Sequence, residues 1–547
     1  MKSVLLPEGK GNTVRLYNGI EISVDWPPSS LRVSEELPFP DLGTAYAVDD
    51  PRELTARRLP PAVPYLDHPP EVVLIDVGRQ LFIDDFLVEE TDLVREYHLA
   101  RKYEGNPVLR SETALEKPEG RMAGAAPKSG GLWWSPEEGV FKLWYEAGWC
   151  EATAYATSAD GLHWTRPDLG GSNRIVPEYP PDSVTVFYDP WARSSGERFK
   201  MLLRRPGSWE SGFAMVSGDG LNWSEAVETG LMNDRSTMFY NPFRKKWIFS
   251  IRSLAYGRTR HYYEHDDFLQ GTQWRDDEPV FWASADDLDL PDPQVGVPTQ
   301  LYNLDAVAYE SVMVGLFEIL RGPNNADCAA AGRPKITDLT LAYSRDGFHW
   351  HRPDRRSFIA STNREGDWDR GYIQSVGGVC AVVGDELWFF YSGAQGGDKD
   401  RDPEGGMYAN RSMGIAKLRR DGFASMHAGE RVGTLLTRPL RFSGAYLFAN
   451  AACPSGELRA EVLDENGHVF EGFGVEDSIP VQGDHTRVLL AWRSGRSLAD
   501  LAGQNIRFRF HLRNGDLYSF WVSRSERGES GGYLAAGGPG CAGLIDE

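Results

Sequence analysis

Basic residues are in short supply. Lys and Arg number 58 against 79 Asp and Glu, a formal net charge of −21 over 547 residues. That balance repels phosphate backbones and anionic bilayers, so no nucleic-acid partner and no membrane partner is expected. Cysteine is scarce as well: Cys150, Cys328, Cys380, Cys453 and Cys541 stand far apart, an odd number without a C-x-x-C pair. The spacing excludes a disulfide framework and a zinc site and predicts free, mostly buried thiols. No apolar run approaches the roughly 18 residues a spanning helix needs. The start, Met1 to Glu8, offers only a three-residue apolar patch before Pro7, too short for a secretory leader. The chain therefore reads as cytoplasmic.

Cofactor and nucleophile motifs are missing too. H-E-x-x-H, Walker and EF-hand patterns do not occur, and no cofactor or metal is expected. Gly528-Glu529-Ser530-Gly531-Gly532 matches G-x-S-x-G but lies in a glycine-rich tail without a following helix. Gly538-Pro539-Gly540-Cys541-Ala542-Gly543 matches G-x-G-x-x-G too close to the chain end for a βα unit. Asp286, Asp287, Asp289 and Asp292 read as a solvated acidic loop rather than a calcium site.

Present in quantity are aromatics (17 Trp, 22 Tyr, 25 Phe) and turn formers (58 Gly, 34 Pro). Together they favour many short strands over helices. The strands repeat. Ser158-Ala159-Asp160-Gly161-Leu162-His163-Trp164 recurs from Ser217 to Trp223 and from Ser344 to Trp350, with degraded copies at 284–287 and 421–423. In this box Asp accepts backbone N–H groups, Gly takes positive φ and Trp packs back, so its aspartates are structural.

A strand–turn–strand unit interleaves with the boxes, at 131–145, 184–203, 237–250, 306–317 and 378–391. Five such units between residues 75 and 426 predict an all-β fold with a five-bladed β-propeller. The strand at 81–88 is expected to complete the last blade. Residues 1–74, with eleven prolines up to position 70, read as an extended N-terminal arm. From 427 to 547 the boxes stop, period-two strands such as 457–463 and 505–512 follow, and Asn-Gly turns join them. That pattern predicts a C-terminal β-sandwich.

In a propeller the innermost strands converge on the axis, and their first residues ring the mouth of a channel. Aligned on Tyr188 and Tyr240, the second and third units place Asp182 and Asp234 there; the fourth offers Asp305, the first Lys128, and the fifth Gln374 and Ser375. Three carboxylates around one opening push their proton affinities apart, which is the acid-and-base pair that glycosidic cleavage uses. Glu310 is a reserve acid; Asp84 and Asp85 alternate faces, so only one of them can point toward the axis, and surface or ring-closing roles are favoured for them.

The layout resembles the five-bladed propeller glycosidases of families 43 and 32 and the family 130 phosphorylases. Asp182-Ser183-Val184-Thr185-Val186-Phe187 is similar to their D-P-x-V-F strand, Asp234 sits where they carry the acid of E-C-P or E-G-P, and Asn106-Pro107-Val108-Leu109 resembles their N-P-[IV]-L segment. The resemblance implies a glycoside hydrolase acting on a terminal sugar of an oligo- or polysaccharide, a fructo- or arabinofuranoside being favoured. It departs at Lys128, which stands where family 32 has its nucleophilic aspartate. Either the carboxylate set has moved to Asp182 (base or nucleophile), Asp234 (orienting) and Asp305 (acid), or Asp84/Asp85 supplies the missing group. Lys128, Arg235, Gln374, Trp133, Trp209 and Asp85 are expected to bind substrate. Phosphorolysis, with Lys128 and Arg235 holding phosphate, and glycan binding without turnover are the alternatives.

Overall fold

The structure is a computed structural model that describes residues 12–28, 60–206, 211–253, 257–397 and 406–547. Helix is confined among these to short pieces, Pro64–Asp67, Phe268–Gly271 and Asn325–Ala331, with two 3-10 turns. Everything else that is regular is strand.

Five antiparallel meanders follow one another. Sheet I comprises Ala125–Ser135, Val140–Ala147, Ala152–Ser158 and Arg174–Ile175. Sheet II comprises Ser183–Tyr188, Phe199–Arg204, Ser211–Ser217 and Val227–Leu231. Sheet III runs from Thr237–Asn241 to Val280–Ala283, and sheet IV holds Gln300–Glu310, Val312–Gly322 and Ile336–Ser344. Sheet V has a broken inner strand, Gly371–Gln374 and Ala381–Val383, then Glu386–Ala394 and Arg411–Arg419. Strands in these sheets are buried on both faces, Val312–Gly322 almost throughout, so their apolar runs are continuous rather than alternating.

The innermost strands form a closed circuit. Val184 pairs with Ser129 in parallel across sheets I and II. The Arg235 amide donates to Ser183 Oγ (3.3 Å), and Thr237 Oγ1 donates to the Leu304 carbonyl (2.6 Å). Ser375 Oγ donates to Asp305 Oδ2 (2.5 Å), and the Ser129 amide donates to the Ser375 carbonyl (3.0 Å), which returns the circuit to sheet I. This is a propeller-type arrangement of curled sheets.

The far end of the circuit is stopped by the C-terminal tail. Tyr533–Leu534 pairs with Tyr309 and Glu310 of sheet IV. The Trp134 amide donates to the Ala536 carbonyl and the Val382 amide to the Gly537 carbonyl, both at 2.9 Å.

The turn boxes behave as local chemistry dictates. Asp160, Asp219 and Asp346 each accept two successive backbone amides at 2.8–2.9 Å. The copy at 284–287 differs, because it follows the fourth strand of sheet III rather than the third. Asp286 and Asp289 there are buried against Arg352 and Arg355, not solvated.

The ring-closing strand is also not the expected one. Arg101–Lys102 pairs with Arg411–Arg419 as the outer strand of sheet V. The segment expected to do so joins the C-terminal sheet instead: Gln80–Leu81, Val88–Thr91 and Val94–Tyr97 pair with Gly515–Ser523, Gly433–Thr437 and Ala424–Ala428. That C-terminal unit is one hydrogen-bonded sheet of nine strands built around the eighteen-residue strand Tyr446–Leu463. Its strands alternate, as in Arg507–Arg513, and the inward residues Phe508, Phe510 and Phe520 pack with Phe82 and Phe442. Residues 12–28 of the N-terminal arm lie against the ring: Tyr17 stacks on Phe243, and Asn18 donates to the Arg345 carbonyl (2.8 Å).

Candidate active site

At the end of the circuit opposite the tail, the beginnings of the inner strands meet. Their backbone is strained there. Lys128 and Ser129 have φ of 47° and 68°, Arg235 of 62° and Tyr372 of 53°, a conformation that costs non-glycine residues and gathers at functional sites. The register break between Ala126 and Gly131 marks a bulge that re-aims Lys128 and Ser129 across the axis.

Asp182 and Asp234 are the carboxylates that reach solvent, with 18 % and 22 % of their side chains exposed. Asp182 is ion-paired with Arg204, and its Oδ1 lies 3.7 Å from Lys128 Nζ and 3.8 Å from Cys150 Sγ. Asp234 is ion-paired with Arg252 and lies 3.7 Å from Arg258 Nη1.

Beneath them Asp305 is fully engaged. Its Oδ2 accepts from Ser375 Oγ (2.5 Å), Ser129 Oγ (2.9 Å) and Asn303 Nδ2 (3.0 Å), tying sheets I, IV and V together. Arg235 threads the same layer, donating to the Lys128 carbonyl (2.8 Å) and to Ser129 Oγ (3.1 Å). Arg260 caps it from below, donating to the Arg235 carbonyl (2.5 Å).

Two buried glutamates complete the floor. Glu146 lies 3.1 Å from Lys128 Nζ and 3.2 Å from Arg411 Nη2; burial alone raises its proton affinity, but Arg411 and Lys128 hold its carboxyl below the ordinary range. Glu318, opposite Asn303 in sheet IV, is the reverse case. Burial raises its carboxyl from 4.5 to about 7 against the pull of Arg235, Gln374 and Thr337; Gln374 Nε2 stands 3.4 Å from Oε1, and among the described residues Oε2 lacks a partner of good hydrogen-bond geometry. One carboxyl poised to carry a proton near neutrality beside carboxylates clamped by arginine is an acid–base division set by environment.

An aromatic wall stands beside these groups. Trp149 stacks on Tyr408 with ring centroids 3.8 Å apart and planes 6° from parallel, and Lys128 Nζ lies 4.0 Å over the indole. Lys335 Nζ donates to Tyr408 Oη (3.1 Å) within reach of the Tyr302 and Tyr372 rings, and the guanidinium of Arg258 lies 4.4 Å over Tyr302. Tyr302 Oη and Tyr372 Oη are hydrogen-bonded at 3.1 Å. Although burial raises the Tyr302 phenol, Lys335 and Arg258 bring it down to about 8.

Of the residues expected from sequence, Asp182, Asp234, Asp305, Lys128, Arg235 and Gln374 belong to this one cluster. Three do not join it. Glu310 sits five residues beyond Asp305, at the tail end of the same strand, about 16 Å away at the usual rise. It is locked there by Arg79, Arg420 and Ser530. Trp133 is a core residue that donates to the Val186 carbonyl (2.9 Å) and packs on Phe187. Asp85 is a surface residue, 74 % exposed and paired with Arg95, while Asp84 is spent on buried Arg345. Trp209 lies outside the described residues. Sequence reasoning missed Glu318, Glu146 and the Trp149–Tyr408 pair. Their signal was a lone charge inside an apolar run, Leu316-Phe317-Glu318-Ile319-Leu320 and Leu143-Trp144-Tyr145-Glu146-Ala147, since glutamate is rarely buried without a task.

No known family profile and no curated protein matches the chain. Among the solved structures it is similar to are glycoside hydrolases. A thermostable family-43 glycoside hydrolase is 11 % identical, with a TM-score of 0.39 over 55 % of this chain and 92 % of that one. A family 43 arabinoxylan arabinofuranohydrolase from Bacillus subtilis is 9 % identical, with a TM-score of 0.35 over 78 % and 99 %. The β-fructofuranosidase of Schwanniomyces occidentalis is 11 % identical, with a TM-score of 0.35 over 77 % and 97 %. At that distance function has to be argued from the site.

Proposed function

We propose that the protein is a glycoside hydrolase, that sheets I–V are the blades of a five-bladed propeller, and that a terminal sugar is cleaved in its axial mouth. The observation that carries this reading is the division among its carboxyls: Glu318 at about 7, its Oε2 lacking a well-aligned partner among the described residues, against arginine-clamped Asp182 and Asp234. Protonated Glu318 hands its proton to the glycosidic oxygen of a sugar seated deep in the mouth. Asp182 either takes a proton from the water that attacks the anomeric carbon or attacks that carbon itself to form a glycosyl-enzyme that water then cleaves, and the oxocarbenium-like charge that develops is met by Asp182 and Asp234. Asp305, saturated by three donors, is a positioning carboxylate rather than the acid.

The furanoside preference is tested with a panel of aryl furanosides and pyranosides assayed with and without phosphate. Turnover without phosphate is expected, and turnover only with phosphate would make the enzyme a phosphorylase. On the substrate so found, Asp182→Asn and Asp234→Asn should each lower kcat by about 10² or more, the usual contribution of a positioned acid or base. Glu318→Gln should lose an unactivated glycoside but keep most of its rate on a dinitrophenyl glycoside, whose leaving group needs no proton. Equal losses on both would remove Glu318 from the acid role.

A further inference from the structure

The chain is acidic overall, yet its axial site is not. The five carboxylates of the cluster are met by eight cations: the six arginines and two lysines placed above around Glu146, Asp182, Asp234, Asp305, Glu318 and the tyrosines. With Glu318 protonated the surplus grows. A local excess of positive charge in a protein of net charge −21 is not what folding alone selects, because crowded buried cations repel one another. The crowding leaves a mark. Burial and then Arg258 hold the Arg252 guanidinium well below its ordinary range, and burial and then Arg235 bring Arg260 down to about 9.

The surplus is also directed. Arg258 is 15 % exposed at the mouth, and among the described residues its Nη1 makes no hydrogen bond, Asp234 Oδ2 lying 3.7 Å away as its ion-pair partner. The same guanidinium lies 4.4 Å from the centroid of the Tyr302 ring, and Lys335 Nζ lies 5.3 Å from it. A planar fork with a spare N–H beside an aromatic wall fits a carboxylate, which accepts from arginine at two points.

Resting on the reading of the mouth as a sugar site, we infer that its substrate is an acidic sugar whose carboxylate seats against Arg258, with Arg252 and Lys335 supplying the surrounding field. A neutral sugar would leave the surplus uncompensated; a sugar carboxylate closes it.

The test is calorimetric titration of the full-length protein with methyl glycosides of glucuronic and galacturonic acids, with the matching neutral glucosides and galactosides, and with inorganic phosphate alone. The acidic glycosides are expected to bind at least tenfold tighter than the neutral ones, and Arg258→Met should reduce that preference at least tenfold while Arg527→Met, on the surface, leaves it unchanged. Thermal melts confirm that both variants fold, and the wild-type comparison decides the matter if Arg258→Met does not. Equal binding of acidic and neutral glycosides overturns the inference, as does the absence of acidic-glycoside binding. Binding of phosphate without preference for acidic sugars overturns it too, and assigns the cations to a free anion. Hydrolysis of a neutral glycoside with no such preference leaves the proposed hydrolase standing while this inference falls.

Discussion

Replacing Glu318 with glutamine separates two consequences of one buried carboxyl. The carboxyl rises from 4.5 in the unfolded chain to about 7 in the native protein, chiefly through burial. Between those values the native state holds more protons than the unfolded state, so stability falls as pH rises through the window, and the penalty is complete above about 7. At about 1.4 kcal/mol for each tenfold change in proton affinity, the full penalty is about 3 kcal/mol. Glutamine is neutral at every pH and escapes it. Relative to the wild type, Glu318→Gln should therefore gain about 2–3 kcal/mol of stability on going from pH 5 to pH 8, on top of a constant offset for fitting an amide beside Gln374. Urea unfolding of both proteins at the two pH values measures the difference, in which every other titrating group cancels. The activity profile should move in step: the wild type loses activity as pH rises through about 7, whereas the variant, with its acid gone, has a low rate and no limb there. A stability difference that is the same at pH 5 and pH 8 would refute the assignment of a raised carboxyl to Glu318, and with it the acid.

Two further substitutions probe the frame around the site. Arg79 is buried between Asp421 (2.9 Å) and Glu310 (3.4 Å), so Arg79→Met should cost about 3–5 kcal/mol by stranding two carboxylates, measured by urea unfolding at pH 7. Because Arg79 holds the Asp421 carboxyl below its unfolded value of 3.8, that pairing is present above 3.8 and lost as pH falls, and the variant should show a shallower acid transition. Gly220 has φ of 79°, and a Cβ there would lie 2.4 Å from the Trp144 ring, whereas Gly139, at φ of 67°, has open space. Gly220→Ala should lower the melting temperature well beyond Gly139→Ala, which carries only the backbone cost of about 1 kcal/mol; equal effects would show that Trp144 yields freely.

What could be read in the sequence was what is local. The boxes at Asp160, Asp219 and Asp346 are closed by contacts within three residues, so their structural role was visible without coordinates. Asp182 and Asp234 were found because a repeat fixes the offset from hairpin to mouth. Pairing across hundreds of residues was not visible: Arg101–Lys102 and Arg411–Arg419 close sheet V, and nothing in either segment names the other. Glu310 and Glu318 show the limit most plainly. Both are buried glutamates on the two strands of one hairpin, and only the sheet's geometry tells which lies at the mouth and which at the tail. Trp133 was misread for a similar reason, since an aromatic residue near a predicted mouth looks the same whether it faces the channel or sheet II.

The tail that stops the far end of the circuit has a consequence for traffic. With the residues around Leu534 and Gly537 bonded to the inner strands of sheets I, IV and V, the tail-side end of the ring is crossed by backbone. Under the function proposed for the mouth, a polymer would not be threaded through the ring, and a product would leave by the path along which the substrate came. Cutting the protein back to residue 531 would open the floor without touching a single residue of the mouth.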